Sequence, residues 1–262
     1  MNVALVLFLA LQSLPPAMLA VLTAPKESPG TLFDRGMSAE ESGETGQALA
    51  LLEQAAALAP DNLRYGAEYR QAVIAEKAYD RSIAFFESLA AAHPDSADVR
   101  LNWGYAYVDK IPAAGAITQV ILANTALTHF TEAIERDPTW LALYTRGNSY
   151  VYWPAIFKRA KLGVADLERA VEISEQHEPR RYYAHAYAAL GDGWWRLGDL
   201  AKAREVWQRG VDRLGAVGPL PGLDKRLALD DQALDAYLKS QYAIGQRVAT
   251  DLRELWTEGV EP

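Results

Sequence analysis

Four histidines, at positions 93, 129, 177 and 185, are the side chains of this 262-residue sequence best suited to metal or acid–base chemistry. None stands in a His-Glu-x-x-His or other ligand spacing, and there is no cysteine to act as thiolate ligand, nucleophile or disulfide partner. His93 precedes Pro94 at an expected helix end and reads as solvent-facing, whereas His129 lies beside Phe130 on a packing helix and reads as an interior residue. Gly191-Asp192-Gly193 resembles part of a phosphate loop but has neither the preceding strand nor the following Lys-Ser/Thr. Glu40-Glu41 and Asp230-Asp231 are adjacent carboxylates at expected helix ends, where acids meet the helix dipole; solvated faces explain them better than acid–base catalysis. No Gly-x-Ser-x-Gly elbow occurs. The sequence therefore predicts a protein that is not an enzyme, with no catalytic residue, no metal and no cofactor.

Aromatic residues carry more information. Trp103, Tyr107, Tyr150, Tyr187, Trp194 and Trp207 fall at helical spacing and read as packing residues between helices. Residues 184–210 show the pattern most completely. Tyr187, Leu190, Gly191 and Trp194 share one helix face, Ala203, Trp207 and Gly210 share another, and Leu197-Gly198-Asp199 breaks the two helices. A small residue at Gly191 admits the partner helix, and Gly198 permits the positive φ that ends a helix.

This arrangement resembles the tetratricopeptide repeat, whose signature is W-x2-L-G-x2-Y, then A-x3-F, then Pro, over about 34 residues. Tyr187 stands for the Trp and Trp194 for the Tyr. Earlier units follow the same register. Gly36, Gly43, Ala48, Leu52, Ala55 and Pro60 mark the first, and Ser82, Phe86, Leu89 and Pro94 close the second, where Arg70 replaces the expected small residue. Trp103, Gly104, Tyr107, Ala126, Phe130, Ala133 and Pro138 mark the third, with about ten extra residues centred on 111–115. Leu143, Gly147, Tyr150, Leu167 and Ala170 mark the fourth, interrupted by a shorter insertion. The resemblance implies an all-α, right-handed superhelix of about five helical hairpins with C-terminal capping helices. Its divisions are a leader or anchor with linker (1–30), the repeat domain (31–214) and capping helices (215–262).

In this family the first helices of successive hairpins line a concave groove where ligand peptides lie. Helical phase directs Arg64, Gln71, Leu101, Tyr105, Tyr144, Asn148, His185, Asp192 and Trp195 into it. Members that clamp a terminal carboxylate use Lys or Arg with Asn; here Asn148 has Tyr144 and Leu101 where basic neighbours belong, which argues against that mode. The groove is expected to accept an extended segment or a helix, the chain's own terminal helix included. A second expected contact surface is the insertion 151–163, where Tyr152, Trp153, Ile156 and Phe157 precede Lys158, Arg159 and Lys161. Such a cluster either docks on a partner or membrane interface or folds back onto the neighbouring repeat.

Residues 3–24 contain no charge and would span about 33 Å as a helix, enough for a bilayer core. Export follows as the expectation. Cleavage as a signal peptide and retention as a membrane anchor both remain open, and a buried N-terminal helix of a cytoplasmic protein is the alternative. The formal net charge of −8, with no long basic run, excludes a phosphate-tracking surface and therefore nucleic acid. The functional expectation is a protein–protein interaction scaffold at the cell envelope, periplasmic or anchored with its repeats on the extracytoplasmic side. It would be an accessory or assembly subunit with protein partners, integral-membrane ones among them. A periplasmic small-molecule-binding accessory protein of a transporter is the second reading.

Overall fold

The computed structural model describes residues 27–243 and 250–257. The apolar segment 3–24 lies outside the described residues, as does Ile244-Gly245, where the sequence places a break in the last helical stretch. Among the described residues the chain forms thirteen α-helices and no strand.

Ten helices make five antiparallel hairpins: α1 (Pro29–Glu41) with α2 (Thr45–Leu58), α3 (Leu63–Glu76) with α4 (Tyr79–Ala92), and α5 (Ala97–Lys110) with α6 (Ala116–Arg136). The pairs α7 (Trp140–Tyr152) with α8 (Ala160–Glu175) and α9 (Ala184–Arg196) with α10 (Leu200–Leu214) complete the right-handed superhelix. Then come α11 (Pro221–Ala228), α12 (Asp231–Gln241) and the single turn α13 (Glu254–Thr257).

Local chemistry explains where these helices start and stop. Ser28, Asn62, Ser96 and Thr139 each accept a hydrogen bond from a backbone N–H of the next first helix, at 3.1–3.2 Å. Each thereby satisfies a donor that the helix itself leaves unpaired. The turn between α9 and α10 is made by Gly198 in the left-handed region (φ 87°) with Asp199 capping α10.

The small residue in each first helix sets how closely the hairpin closes. A Cβ on Gly191 would fall 2.1 Å from Trp207 Nε1, and one on Gly104 would fall 2.3 Å from the Phe130 ring. Trp207 is fully buried and donates from Nε1 to the Ala188 carbonyl at 3.2 Å, so its indole lies across the first helix where any side chain at 191 would stand. Stacking the hairpins produces two apolar clusters, one around Leu52, Tyr69 and Phe86, the other running from Leu63 through Phe130, Leu167 and Trp207 to Leu255.

After the short 3-10 turn Ile111–Ala113 the extra residues of the third unit lengthen α6 to 21 residues. The C-terminal elements do not all stack on the last hairpin. α11 packs there, with Leu223 completely buried against Gly210, but residues 250–257 run back into the concave face. Leu252 and Leu255 join the main core, because the first helices leave an apolar channel that an end cap alone would not cover.

Candidate functional site

The concave face is built by the first helices α1, α3, α5, α7 and α9, and its centre is an unusual residue. Arg70 occupies the position where Gly36, Gly104, Gly147 and Gly191 stand in the other hairpins. Its side chain is completely buried. It donates from Nε to Asn102 Oδ1 (3.1 Å), from Nη1 to Asp109 Oδ2 (3.0 Å) and from Nη2 to the Thr250 carbonyl oxygen (3.2 Å). Its guanidinium carbon lies 4.5 Å from the Tyr105 ring centroid. Thr250 returns a hydroxyl hydrogen bond to Asp109. A buried guanidinium requires this degree of satisfaction, since desolvated charge without partners costs several kcal/mol.

The rest of the segment is read residue by residue. Arg253 donates to Glu68 (Nε to Oε2, 2.8 Å) and to both oxygens of Glu40 (3.0 and 3.1 Å). These hydrogen bonds, Glu68 first, raise the Arg253 pKa further despite burial. Trp256 donates its indole N–H to Glu68 Oε1 (3.2 Å), and the Arg64 guanidinium lies 5.9 Å from the Trp256 ring centroid. On the opposite wall, Glu254 accepts from His185 Nε2 (2.7 Å) and pairs with Arg181 (3.4 Å). The His185 hydrogen bond draws the Glu254 carboxyl below the usual range, with burial opposing it. Residues 250–257 thus tie the first two hairpins to the fifth.

A second set of contacts closes the groove beside this segment. Asp192, buried, accepts two hydrogen bonds from Arg226 (2.7 and 2.6 Å) and one from the Tyr242 hydroxyl (2.7 Å). Burial opposes the charge on Arg226, but the Asp192 pair outweighs it and holds the guanidinium firmly protonated. Tyr242 packs between Tyr152 and Trp195, with ring centroids 4.7 and 6.2 Å away, and Trp195 donates to Asp235 at 3.3 Å.

Most of the nine residues expected to line the groove are not open to a partner. Arg64 and His185 touch residues 250–257. Asp192 and Trp195 hold α11 and α12. Leu101 and Tyr105 are buried, the latter with its hydroxyl 2.5 Å from Thr145 Oγ1 and its pKa pushed up to about 12 by burial. Tyr144 stacks on Trp140 (5.2 Å), Gln71 is half-buried, and Asn148 is half-buried on α7. Glu40, read from sequence as part of a solvated pair, is instead a partner of Arg253. His129 is an interior residue, stacked 3.8 Å from the Trp103 ring, and burial lowers its pKa.

Sequence reasoning missed Glu68, Asp109, Arg226, Tyr242, Arg253 and Trp256. One signal was available: an arginine at a position that demands a small residue must find buried acceptors.

A cavity of about 890 Å³ remains at one end of the groove. It lies between the N-terminal ends of α3, α5 and α7 and the side chains of Leu255 and Trp256. Trp140 Nε1, at its wall, has no hydrogen-bond partner among the described residues. Burial, reinforced by Asp61 and Asp137, pushes the Asp98 carboxyl at this end up to about 6. Among the described residues no group of His, Asp or Glu could hold a metal ion.

The insertion edge differs. Tyr152 and Trp153 fold inward, but Ile156 is 82% exposed and Phe157 48%. On the extended start of α6, Ile117 is 81% exposed and Ile121 59%. Arg159 joins the two insertions, with its guanidinium 3.7 Å from the Trp153 ring centroid and a 3.0 Å hydrogen bond to Asn124. Lys158 and Lys161 are exposed beside this patch.

Comparison with known proteins agrees with this architecture. Residues 39–101 match the tetratricopeptide repeat family. No curated protein matches the chain. The crystal structure of TTC0263, a thermophilic TPR protein in Thermus thermophilus, is similar with a TM-score of 0.52 at 16% identity, covering 81% of this chain and 98% of that one. That of PilW, a widely conserved type IV pilus biogenesis factor, gives a TM-score of 0.51 at 18% identity, covering 88% and 98%. At these identities the likeness is one of fold. Residues 39–101 thus carry tetratricopeptide repeats, and the described chain shares the helical-hairpin fold of proteins built from them, which are generally non-enzymatic scaffolds. No helix among the described residues is long and apolar enough to cross a membrane.

Proposed function

We propose that this protein is a non-enzymatic interaction scaffold at the cell envelope, an accessory or assembly subunit of a larger membrane or periplasmic complex. The observation that carries the scaffold reading is that the groove already holds a peptide segment: residues 250–257 lie in it, with the Thr250 carbonyl, the Arg253 guanidinium and the Trp256 indole each hydrogen-bonded to the first helices. The envelope location rests on the uncharged stretch 3–24 of the sequence. The insertion edge supplies a second contact surface, since exposed isoleucines and a phenylalanine flanked by lysines suit an apolar partner or a membrane interface.

The test is purification from native membranes in mild detergent through a tag placed after Pro262. A stoichiometric envelope protein should be retained, and Ile156→Glu together with Ile117→Glu should weaken its retention. Recovery of a soluble chain with no partner would contradict the proposal.

The cavity and the Trp140 indole N–H at its wall, which has no hydrogen-bond partner among the described residues, favour one second reading, a small-molecule-binding accessory protein. A thermal-shift screen separates the two, because a ligand that binds the folded state raises the unfolding temperature by mass action.

A further inference from the structure

We propose that residues 250–257 are a built-in competitor, and that the groove's partner presents a segment of the same chemistry: an arginine followed three residues later by an aromatic, with flanking leucines. This inference rests on the reading of the concave face as the partner site.

Three observations lead there. First, the site takes one main-chain carbonyl and two side chains of this segment. Arg70 takes the Thr250 carbonyl, while Glu40 and Glu68 take the Arg253 guanidinium. Glu68 also takes the Trp256 indole, and the ring lies near Arg64.

Second, the groove cannot stay empty without cost. Glu68 is 1% exposed and accepts from Arg253 and Trp256. Removing the segment takes away both of these donors, so the site favours an occupant that supplies a cation and an N–H in the same places.

Third, the segment is held through contacts that a partner can replace one for one. It ends in a single helical turn, and its apolar anchors are two leucines and a tryptophan. The segment belongs to the same chain as the groove, so it competes intramolecularly at an effective concentration on the order of millimolar; it outcompetes weak ligands and yields to a partner that binds more tightly or from two points.

The test uses the full chain and a fluorescein-labelled synthetic peptide with the sequence of residues 250–257. In the Arg253→Ala/Trp256→Ala chain the groove residues are intact and the tail is weakened. The peptide should bind this variant at least about tenfold more tightly than the unaltered chain. Adding Glu68→Gln to the same variant should remove that gain.

Equal binding to both chains, or no binding to a tail-weakened chain that keeps its circular dichroism and melting temperature, would overturn the proposal. Should the double variant melt, the Leu255→Cys chain gives the same answer: excess unlabelled peptide must raise its thiol-labelling rate, and an unchanged rate refutes displacement. If the peptide fails while an envelope partner is still retained, the tail is a structural strap and the scaffold reading stands. If the peptide binds as expected but no envelope partner is retained, the groove is a releasable peptide site and only the envelope-complex reading falls.

Discussion

The concave face and the insertion edge treat their side chains in opposite ways. In the groove, charged groups are buried and paired, as with Arg70 and Asp109, and the apolar residues Leu252 and Leu255 are covered by the chain's own fold. At the edge, Ile117 and Ile156 face solvent with basic residues beside them. Under the proposed function, the self-satisfied groove suits regulated recognition and the open apolar edge suits constitutive contact.

The sharpest way to break the comparison is to remove the charge at the groove's centre. Arg70→Ala leaves Asp109 buried with its main cation gone and should destabilise the chain by about 3–5 kcal/mol in denaturant unfolding. Arg70→Met with Asp109→Leu should recover much of that loss. If the single variant costs under about 1 kcal/mol, the groove is wetter than the structure shows.

Asp98 at the cavity end gives a pH signature. Its folded-state pKa of about 6 exceeds the ordinary value of 3.8, so the folded state holds its proton longer than the unfolded chain does. Stability therefore falls as pH rises between these values, by at most about 3 kcal/mol, and the deficit persists at higher pH. Asp98→Asn should raise the melting temperature at pH 7.5 and confer no such gain at pH 3.5. A gain independent of pH would point to a cause other than the carboxylate.

A smaller effect is expected from the tail. Trp256→Ala should cost about 1–2 kcal/mol, because the ring is only partly buried, while increasing hydrogen exchange along α3 and α9. At the edge, Ile156→Glu should change stability by no more than about 0.5 kcal/mol, since the side chain is already in water. A large loss there would mean that the edge is core after all.

The hairpin order was readable because each repeat writes its own packing rule. Gly104 against Phe130 and Gly191 against Trp207 are local pairs, separated by 26 and 16 residues, and helical periodicity exposes them. Caps at Asn62, Ser96 and Thr139 precede the helices they start. The site was less readable. Helical phase directs His185, Asp192 and Trp195 toward the concave side, but the residues they meet come from far along the chain. The hydrogen bond from Arg70 to Thr250 spans 180 residues and that from Arg253 to Glu40 spans 213. No periodicity links such positions. The extra residues of the third unit were visible as a break in the 34-residue spacing, and the structure shows that they lengthen α6.

The most direct measurement exploits the absence of cysteine. Two single-cysteine chains, Leu255→Cys and Ile156→Cys, would be labelled with a maleimide under native conditions and their rates compared. Leu255 is 5% exposed in the occupied groove and Ile156 is 82% exposed at the edge. The account predicts labelling at 255 at least about tenfold slower than at 156, with the two rates converging in denaturant. Equal rates under native conditions would mean that the tail does not occupy the groove, and the contrast between the two surfaces would collapse.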